Sequence, residues 1–469
     1  MRIRSIFALA FIFLFLVSPL TVQALPASVV NVTNPAWTAE LLKDGEDGFK
    51  NVSTAFVGKY EIPVVSYSRT GMTRIYQIFR ATTAVAGNCG PNNGWHCTTW
   101  YDSDLVPGSV SNIATEVYGP DTFGVKWVYS ANGYIRGASV ERMNDNSYVT
   151  ESWNNLIQLS KFGGVLVGPP SLAAVGGHYR LAVTIRDNTD MYGHWLVYMH
   201  YVGGSTNTSC IDSGSAYQCD VIQSSYGYNS IGVPSLDLAP DQTVGIAYYF
   251  NGALKYAYPH LDSAHWPSNC GPGGDTWRCI TIFAGTETGE VSRMTQFVFG
   301  STSSDRAIAF RYDDTLIDDT IYAAEYVVSG GNCGDDLNIL GFPVKRWKCS
   351  DIVSLGNLTT GYNPAFSIAI DPFGYPMIAY EDTSADLAPV DLRVVYPRGR
   401  DGSTETTWAI QTVDGAPSTS VGTGAQAALS FNSAGLGLIG YLQEEEYALP
   451  DLKVAWQPFQ VFQPFIIKP

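Results

Sequence analysis

The sequence predicts an all-β chain made of repeated small antiparallel sheets, and three observations predict it. First, an aromatic residue opens the same short phrase at Trp37, Trp95, Trp153, Tyr217, Trp277, Trp347 and Trp408, about sixty residues apart. An apolar residue follows five places later in six copies (Leu42, Trp100, Ile222, Ile282, Ile352 and Val413), and four places later, at Ile157, in the copy opened by Trp153. Second, "SLDLAPDQTVGIAY" (Ser235 to Tyr248) aligns without a gap to "SIAIDPFGYPMIAY" (Ser367 to Tyr380), and "ALSFNSAGLGLIGY" (Ala428 to Tyr441) follows the same pattern. Third, 46 Gly and 25 Pro with only 15% charged residues describe a folded, turn-rich chain. A repeat of this length made of short strands builds one small sheet per copy.

The elements follow in order. Each aligned copy begins with an alternating strand, turns at Pro, Asp, Asn or Gly, and ends its second strand in Ile-Ala-Tyr or Ile-Gly-Tyr. A third strand follows as "LKYA" at Leu254, "LRVV" at Leu392 and "LKVA" at Leu452, and the aromatic phrase is the fourth. In the divergent copies Val65-Ser66-Tyr67, Val125-Lys126-Trp127, Val183-Thr184-Ile185 and Ile308-Ala309-Phe310 take the second-strand ending. Four antiparallel strands per repeat, seven times over, make the fold class a seven-bladed β-propeller. The last repeat stops after its third strand near Trp456, while "PAWTAELLKDG" (Pro35 to Gly45) resembles "TTWAIQTVDG" (Thr406 to Gly415). The N-terminal strand is therefore expected to close the last blade, which removes an open sheet edge at the seam. The rival, a linear β solenoid, would not need its first strand to complete its last repeat.

Residues 1–24 read as a secretory leader. Arg2 and Arg4 precede an apolar run from Ile6 to Val17, and Val22-Gln23-Ala24 is a small-x-small cleavage site. That run falls short of the roughly twenty residues a spanning helix needs. Residues 25–458 are assigned to the propeller and 459–469 to a short aromatic tail. The mature protein is expected to be secreted, extracellular or at the cell surface, with no membrane span.

All eight Cys fall inside repeats, as Cys89 with Cys97, Cys210 with Cys219, Cys270 with Cys279 and Cys333 with Cys349. Three copies open with Asn-Cys-Gly, and the second Cys always stands two places after the repeat's aromatic. Zinc needs about four converging ligands, whereas one pair per repeat would scatter them, so four local disulfides are the expectation. The formal net charge of −16 argues against nucleic acid and anionic membranes as partners. Sequons at Asn31, Asn51, Asn207 and Asn357 matter only in a host that glycosylates exported proteins.

The pattern Ser-x-x-x-Asp-Pro-x-Gly-x-Pro-x-Ile-Ala-Tyr, with its later Leu-Arg or Leu-Lys strand, resembles the repeat of secreted bacterial seven-bladed propellers of the sialidase-like and fucose-lectin-like group. The resemblance covers nearly the whole mature chain, through structural residues. It implies the fold and a carbohydrate-directed role. The Ser-x-Asp-x-Gly-x-Thr-Trp turns of sialidases are missing: "SLDLAPDQT" has Ser235 and Asp237, but Ala239 where Gly belongs. Arg69, Arg136, Arg186 and Arg311 lie near strand ends, and their spacing alone does not make a carboxylate-binding cluster.

No Gly-x-Ser-x-Gly elbow or His-Glu-x-x-His pair occurs, and the six His are scattered. The acids are more suggestive. The loops joining second and third strands hold Asp187 and Asp190, Asp313, Asp314, Asp318 and Asp319, Glu381 and Asp382, and Glu444 and Glu445. In a propeller these loops emerge on one face. Such carboxylates can bind calcium, which takes six to eight oxygen ligands, with Asp313, Asp314, Asp318 and Asp319 as candidate ligands. They can instead accept hydrogen bonds from sugar hydroxyls, act as acid and base on a glycosidic bond, or form a solvated loop face. The aromatics ending the second strands are expected to pack between blades rather than stack on sugars. The reading is a secreted binding module for carbohydrate or an extracellular protein surface. The alternatives are a polysaccharide-cleaving hydrolase or lyase, and a structural protein of an extracellular layer.

Overall fold

The computed structural model describes residues 37–45, 49–57, 60–69, 74–82, 85–101, 110–119, 122–143, 148–187, 193–225, 230–259, 269–271, 276–285, 289–314, 319–335, 337–339, 342–355, 366–383, 390–398, 407–415, 421–445 and 449–457. Residues 1–36, with the leader expected at 1–24, and those beyond 457 lie outside these. The chain forms seven four-stranded antiparallel blades in a ring. Blade 1 comprises Phe49–Val57, Ile62–Arg69, Arg74–Arg80 and Trp95–Tyr101; blade 2, Val110–Gly119, Thr122–Ala131, Tyr134–Met143 and Tyr148–Gln158. Blade 3 comprises Ser171–Val175, His178–Asp187, His194–Tyr201 and Tyr217–Ser225, with Gly164–Leu166 also paired to the second strand. Blade 4 is Ser235–Leu238, Val244–Phe250, Ala253–Pro259 and Trp277–Phe283. Blade 5 is Gly289–Phe299, Arg306–Asp314, Thr320–Tyr326 and Trp347–Ser354, with a small hairpin (Leu337–Ile339, Phe342–Val344) before its last strand. Blade 6 is Phe366–Ile370, Pro376–Asp382, Asp391–Arg398 and Thr407–Asp414.

Blade 7 takes three strands from the C-terminal part, Val421–Phe431, Gly437–Glu445 and Asp451–Trp456, and its fourth, Thr38–Lys43, from the N-terminal part. The borrowed strand runs antiparallel to the third, with Thr38 opposite Trp456. It also reaches into blade 1. Glu40 accepts hydrogen bonds from Trp95 Nε1 (2.8 Å), Arg80 Nη1 (3.1 Å) and Trp456 Nε1 (3.1 Å). One carboxylate thus ties the first blade to the last at the point where the ring closes.

The first strands of neighbouring blades touch one another all the way round the ring. Their serines latch the blades together. Ser171 Oγ accepts the Leu236 N–H (2.8 Å), Ser235 Oγ that of Phe297 (2.8 Å) and Ser367 Oγ that of Leu429 (3.1 Å). Asp237 adds a second latch, accepting the N–H of Phe299 at 2.7 Å. The Ser and Asp of "SLDL" are inter-blade connectors.

The Ile-Ala-Tyr endings are core: Ile246, Ala247, Tyr248, Ile378, Ala379, Tyr380, Ile439 and Tyr441 are all fully buried. The residue across on the third strand is aromatic or cationic. Tyr76 stacks on Tyr67 at 5.0 Å, Tyr322 on Phe310 at 5.5 Å, and the Lys453 ammonium lies 5.9 Å from the Tyr441 ring. Strand register corrects the alignment in two blades. Leu181, not Val183, lies opposite Met199 and in line with Cys219, as Ile246 lies in line with Cys279 through Ala257. The blade 3 ending is therefore Leu181-Ala182-Val183. In blade 2 the register gives Trp127-Val128-Tyr129, two residues after the aligned segment, with Arg136 facing Tyr129 as Lys255 faces Tyr248. Short strands of β-branched and aromatic residues give several nearly equal alignments, and only pairing fixes the register.

Four disulfides, Cys89–Cys97, Cys210–Cys219, Cys270–Cys279 and Cys333–Cys349, close the loops before the fourth strands of blades 1, 3, 4 and 5. The Asn-Cys-Gly motif has a mechanical explanation. The Asn269 side-chain amide bonds both the N–H (2.7 Å) and the C=O (2.8 Å) of Cys279. Asn88 does the same to Cys97 (2.6 and 3.1 Å) and Asn332 to Cys349 (2.7 and 2.9 Å). In blade 3, Ser209 Oγ takes only the Cys219 N–H (2.8 Å). The Gly that follows has φ near +67° at Gly90 and +90° at Gly271. A Cβ there would stand 2.7 Å from Trp95 Cδ1 and 2.6 Å from Trp277 Cδ1, so Gly and the aromatic belong to one unit.

The stapled loops of blades 3, 4 and 5 also bond to the outer strand of the preceding blade. Gly271 N–H donates to Ile222 O (2.9 Å) and Asp335 N–H to Thr281 O (2.7 Å), while Thr281 N–H returns a bond to Asp335 Oδ2 (2.7 Å). Gln158 N–H donates to Cys210 O at 3.0 Å. The staples thus cover exposed strand edges as well as closing their own loops.

Candidate functional site

The acidic residues stand where second strands end, and several are already engaged. Arg311 grips Asp313 with two bonds, Nε to Oδ1 and Nη2 to Oδ2. Arg393 Nη1 lies 2.6 Å from Asp382 Oδ2, and its Nη2 lies 3.4 Å from Asp391 Oδ2. Glu381 and Asp382 are buried, at 5% and 7% exposure, while Glu444 is exposed. Asp187 is half-buried, its N–H bonded to Gly193 O at 2.9 Å. Asp414, at the end of blade 6, accepts the Tyr441 hydroxyl proton (2.6 Å) and a bond from Lys453 Nζ. Burial, and then Asp414, push the Tyr441 phenol well above its usual pKa, so it stays a donor.

Asp190 and Asp318 lie outside the described residues, as do the side chains of Asp314 and Glu445. Asp319 is buried at 9% exposure and its C=O accepts the Leu355 N–H. Among the described residues no group of three or more His, Cys, Asp or Glu side chains is arranged to hold a metal ion. Ion pairs link Arg311 to Asp313, Arg393 to Asp382 and Asp391, and Lys453 to Asp414. The cation is on the same strand for Asp313 and Asp391, on the paired strand for Asp382 and on the neighbouring blade for Asp414, and the last two contacts could not be read from the sequence.

A cleft of about 320 Å³ lies elsewhere, between blades 2 and 3. Tyr134, Asn154 and Asn155 form its blade 2 side, and Ser213, Ser215 and Tyr217 of the stapled loop form the opposite side. Every side chain lining it is uncharged. Asn154 and Asn155 are exposed. The stapled wall is held firmly: Ser215 Oγ donates to Tyr217 O (3.0 Å) and accepts the Tyr217 N–H (3.1 Å), and Asn207 and Ser215 exchange backbone bonds. Gly214, at φ +83°, could not carry a side chain, because a Cβ would meet Ser205 O at 2.6 Å. Tyr179 and Tyr201 pack edge-on against Tyr217 at 6.3 and 5.7 Å. Burial raises the pKa of the Tyr217 phenol, which keeps it a neutral donor. One end of the cleft is clasped where Asp212 N–H donates to Gln158 Oε1 (3.1 Å) and Lys161 Nζ to Asp212 Oδ1 (2.7 Å).

Sequence reasoning did not single out this cleft. Its signals were an irregularity and a gap: the Trp153 copy is the one with its apolar residue displaced, and its blade has no Cys pair. Register explains the irregularity, because Trp153 pairs with Ala138 as Cys279 pairs with Ala257, not as Trp277 pairs with Pro259.

No protein-family model and no curated protein matches this sequence. Among solved structures, the chain is similar to the polysaccharide lyase Uly1, at 11% identity and a TM-score of 0.45 over 88% of this chain and 89% of that one. It is also similar to the fucose-specific lectin from Aleuria aurantia (13%, TM-score 0.36, 81% and 99%). A mutant of the NanB sialidase from Streptococcus pneumoniae matches at 11%, with a TM-score of 0.39 over 92% and 71%. At these identities and TM-scores the likeness assigns no activity.

Proposed function

We propose that the protein is a secreted carbohydrate-binding module whose ligand, an uncharged sugar, occupies the cleft between blades 2 and 3. The observation that carries this reading is a polar lining free of charge, in a chain whose net charge is −16. A neutral sugar presents hydroxyls that donate and accept at once, and Asn and Ser side chains answer both. Tyr134 and Tyr217 supply apolar ring surface for its carbon face. The volume of about 320 Å³ stands at the small end of the ~300–1,000 Å³ range of small-molecule sites, suited to one or two sugar rings. The leader and four disulfides support export into an oxidising environment.

Binding is favoured over cleavage because glycoside hydrolysis asks for two carboxylates free to exchange protons about 5–10 Å apart. Asp313 and Asp382 are each held by an Arg. The test is a glycan-array screen of the mature protein, in calcium and in chelator, beside the exposed double variant Asn154→Ala with Ser213→Ala. Binding independent of chelator, and weakened about tenfold or more in the variant, is the expected result. Binding abolished by chelator would move the site to the acidic face and to calcium. An unbound array would favour a protein-facing surface component.

A further inference from the structure

We infer that the sugar is held through a vicinal diol on the main chain of Asn155; this rests on the carbohydrate reading of the cleft. In blades 1, 4 and 5 outward N–H and C=O groups of the outer strand are covered by groups that present a donor and an acceptor side by side. The primary amides of Asn88, Asn269 and Asn332 do this to Cys97, Cys279 and Cys349. Two residues further along, Thr281 is met in the same manner by Asp335 of the next blade, through its N–H and its carboxylate, both at 2.7 Å.

Asn155 is the blade 2 counterpart of Thr281. Thr281 lies opposite Lys255, immediately beside a bulge, and Asn155 lies opposite Arg136, immediately beside the same bulge. The registers agree: Ile135, Arg136 and Ala138 stand opposite Ile157, Asn155 and Trp153 as Leu254, Lys255 and Ala257 stand opposite Phe283, Thr281 and Cys279. The outward N–H and C=O of Asn155 therefore point toward the next blade's stapled loop, as those of Thr281 do. In blade 3 that loop departs from the Cys-Gly-Asp of blade 5: it reads Cys210-Ile211-Asp212, and Asp212 turns to Gln158 and Lys161. Among the described residues none bonds to the Asn155 edge from that side, and the cleft opens there.

The missing group must offer a donor and an acceptor on the same side. Adjacent hydroxyls of a sugar do so, one accepting from N–H and the other donating to C=O. A secondary acetamide cannot, because in its trans form the N–H and C=O point in opposite directions. The main-chain pair therefore selects a 1,2-diol and discriminates against a sugar with one of those hydroxyls removed or acetamidated. Asn154, Ser213 and the two tyrosines take the remainder of the ring.

The experiment is titration calorimetry with the best monosaccharide from the array, its monodeoxy analogues and its 2-acetamido counterpart. Each is measured on the wild type, Asn155→Ala and Asn155→Pro. Proline removes the outward N–H and is tolerated on an edge strand, whereas alanine keeps it. Loss of either diol hydroxyl should weaken wild-type binding about tenfold. The preference should persist in Asn155→Ala and vanish in Asn155→Pro, with thermal melting to show that the variant folds. If it does not fold, the deoxy series on the wild type decides alone. Deoxy and acetamido sugars binding as tightly as the parent, while Asn154→Ala with Ser213→Ala still weakens binding, would overturn the diol and leave the cleft reading intact. A failure of every sugar would remove the cleft reading itself.

Discussion

Blade 4 and blade 2 share a backbone plan and treat their outer strands in opposite ways. In blade 4 the edge is occupied: Asn269 covers Cys279, Asp335 covers Thr281, and a disulfide pins the loop. Blade 2 has the same third-strand register and the same bulge but no Cys pair, and Asn154 and Asn155 stand exposed at the cleft. A staple is therefore not a condition for forming a blade. Whether the outer edge is closed or offered depends on the loop that meets it from the next blade: Asp335 closes Thr281, while Asp212 turns to Gln158 and Lys161. The inner ring makes no such distinction, since Ser171, Ser235 and Ser367 latch stapled and unstapled blades alike.

Blade 7 offers the harshest way to break this comparison, because it has no staple and borrows a strand. Deleting Trp37–Lys43 leaves Asp451–Trp456 as an open edge and takes Glu40 from Arg80, Trp95 and Trp456. The expected result is loss of a cooperative thermal transition. A deletion variant melting like the parent would show that an unstapled blade needs no closure.

The inner ring can be probed through Asp237. Partial burial pushes its pKa up to about 6, although the N–H groups of Phe299 and Leu238 pull it back. A raised folded-state pKa means that this stabilisation is present in full below the unfolded value of about 3.9 and is lost as pH rises through 6. Relative to Asp237→Asn, the wild type should lose on the order of 3 kcal/mol between pH 4 and 7. Denaturant unfolding across that range measures it, and parallel pH profiles would mean that the latch carries no proton linkage.

The smallest of the three effects concerns the staple itself. Cys270→Ser with Cys279→Ser should cost about 2–3 kcal/mol and leave the blade folded, as blade 2 already does without one. An unfolded double variant would separate blades 2 and 4 more deeply than their backbones suggest. Unchanged stability would assign the loop's order to Asn269 and Gly271.

The repeat, the Cys pairs and the partial last copy made the propeller, its staples and its closure legible, because each is a local pattern written more than once. Blade 2 was misaligned by two residues, since Val125-Lys126-Trp127 and Trp127-Val128-Tyr129 are equally acceptable strand endings until Arg136 chooses its partner. The acids drew attention by their number; Arg311 stands two residues from Asp313 on the same strand, but Arg393 reaches Asp382 only across paired strands and Lys453 reaches Asp414 only from the next blade. Asn154 and Asn155 drew none, being ordinary polar residues in a strand.

The amino-acid sequence by itself determined the number of blades, the four-strand plan, the disulfide pairs and the N-terminal closing strand. Apolar periodicity, turn residues and cysteine spacing act over a few residues and recur in every copy. Only the tertiary structure decided the strand register, the pairing of the acidic face and the open edge at Asn155. Those depend on which strand lies opposite and which blade comes next, and such long-range contacts leave no periodic trace in the chain.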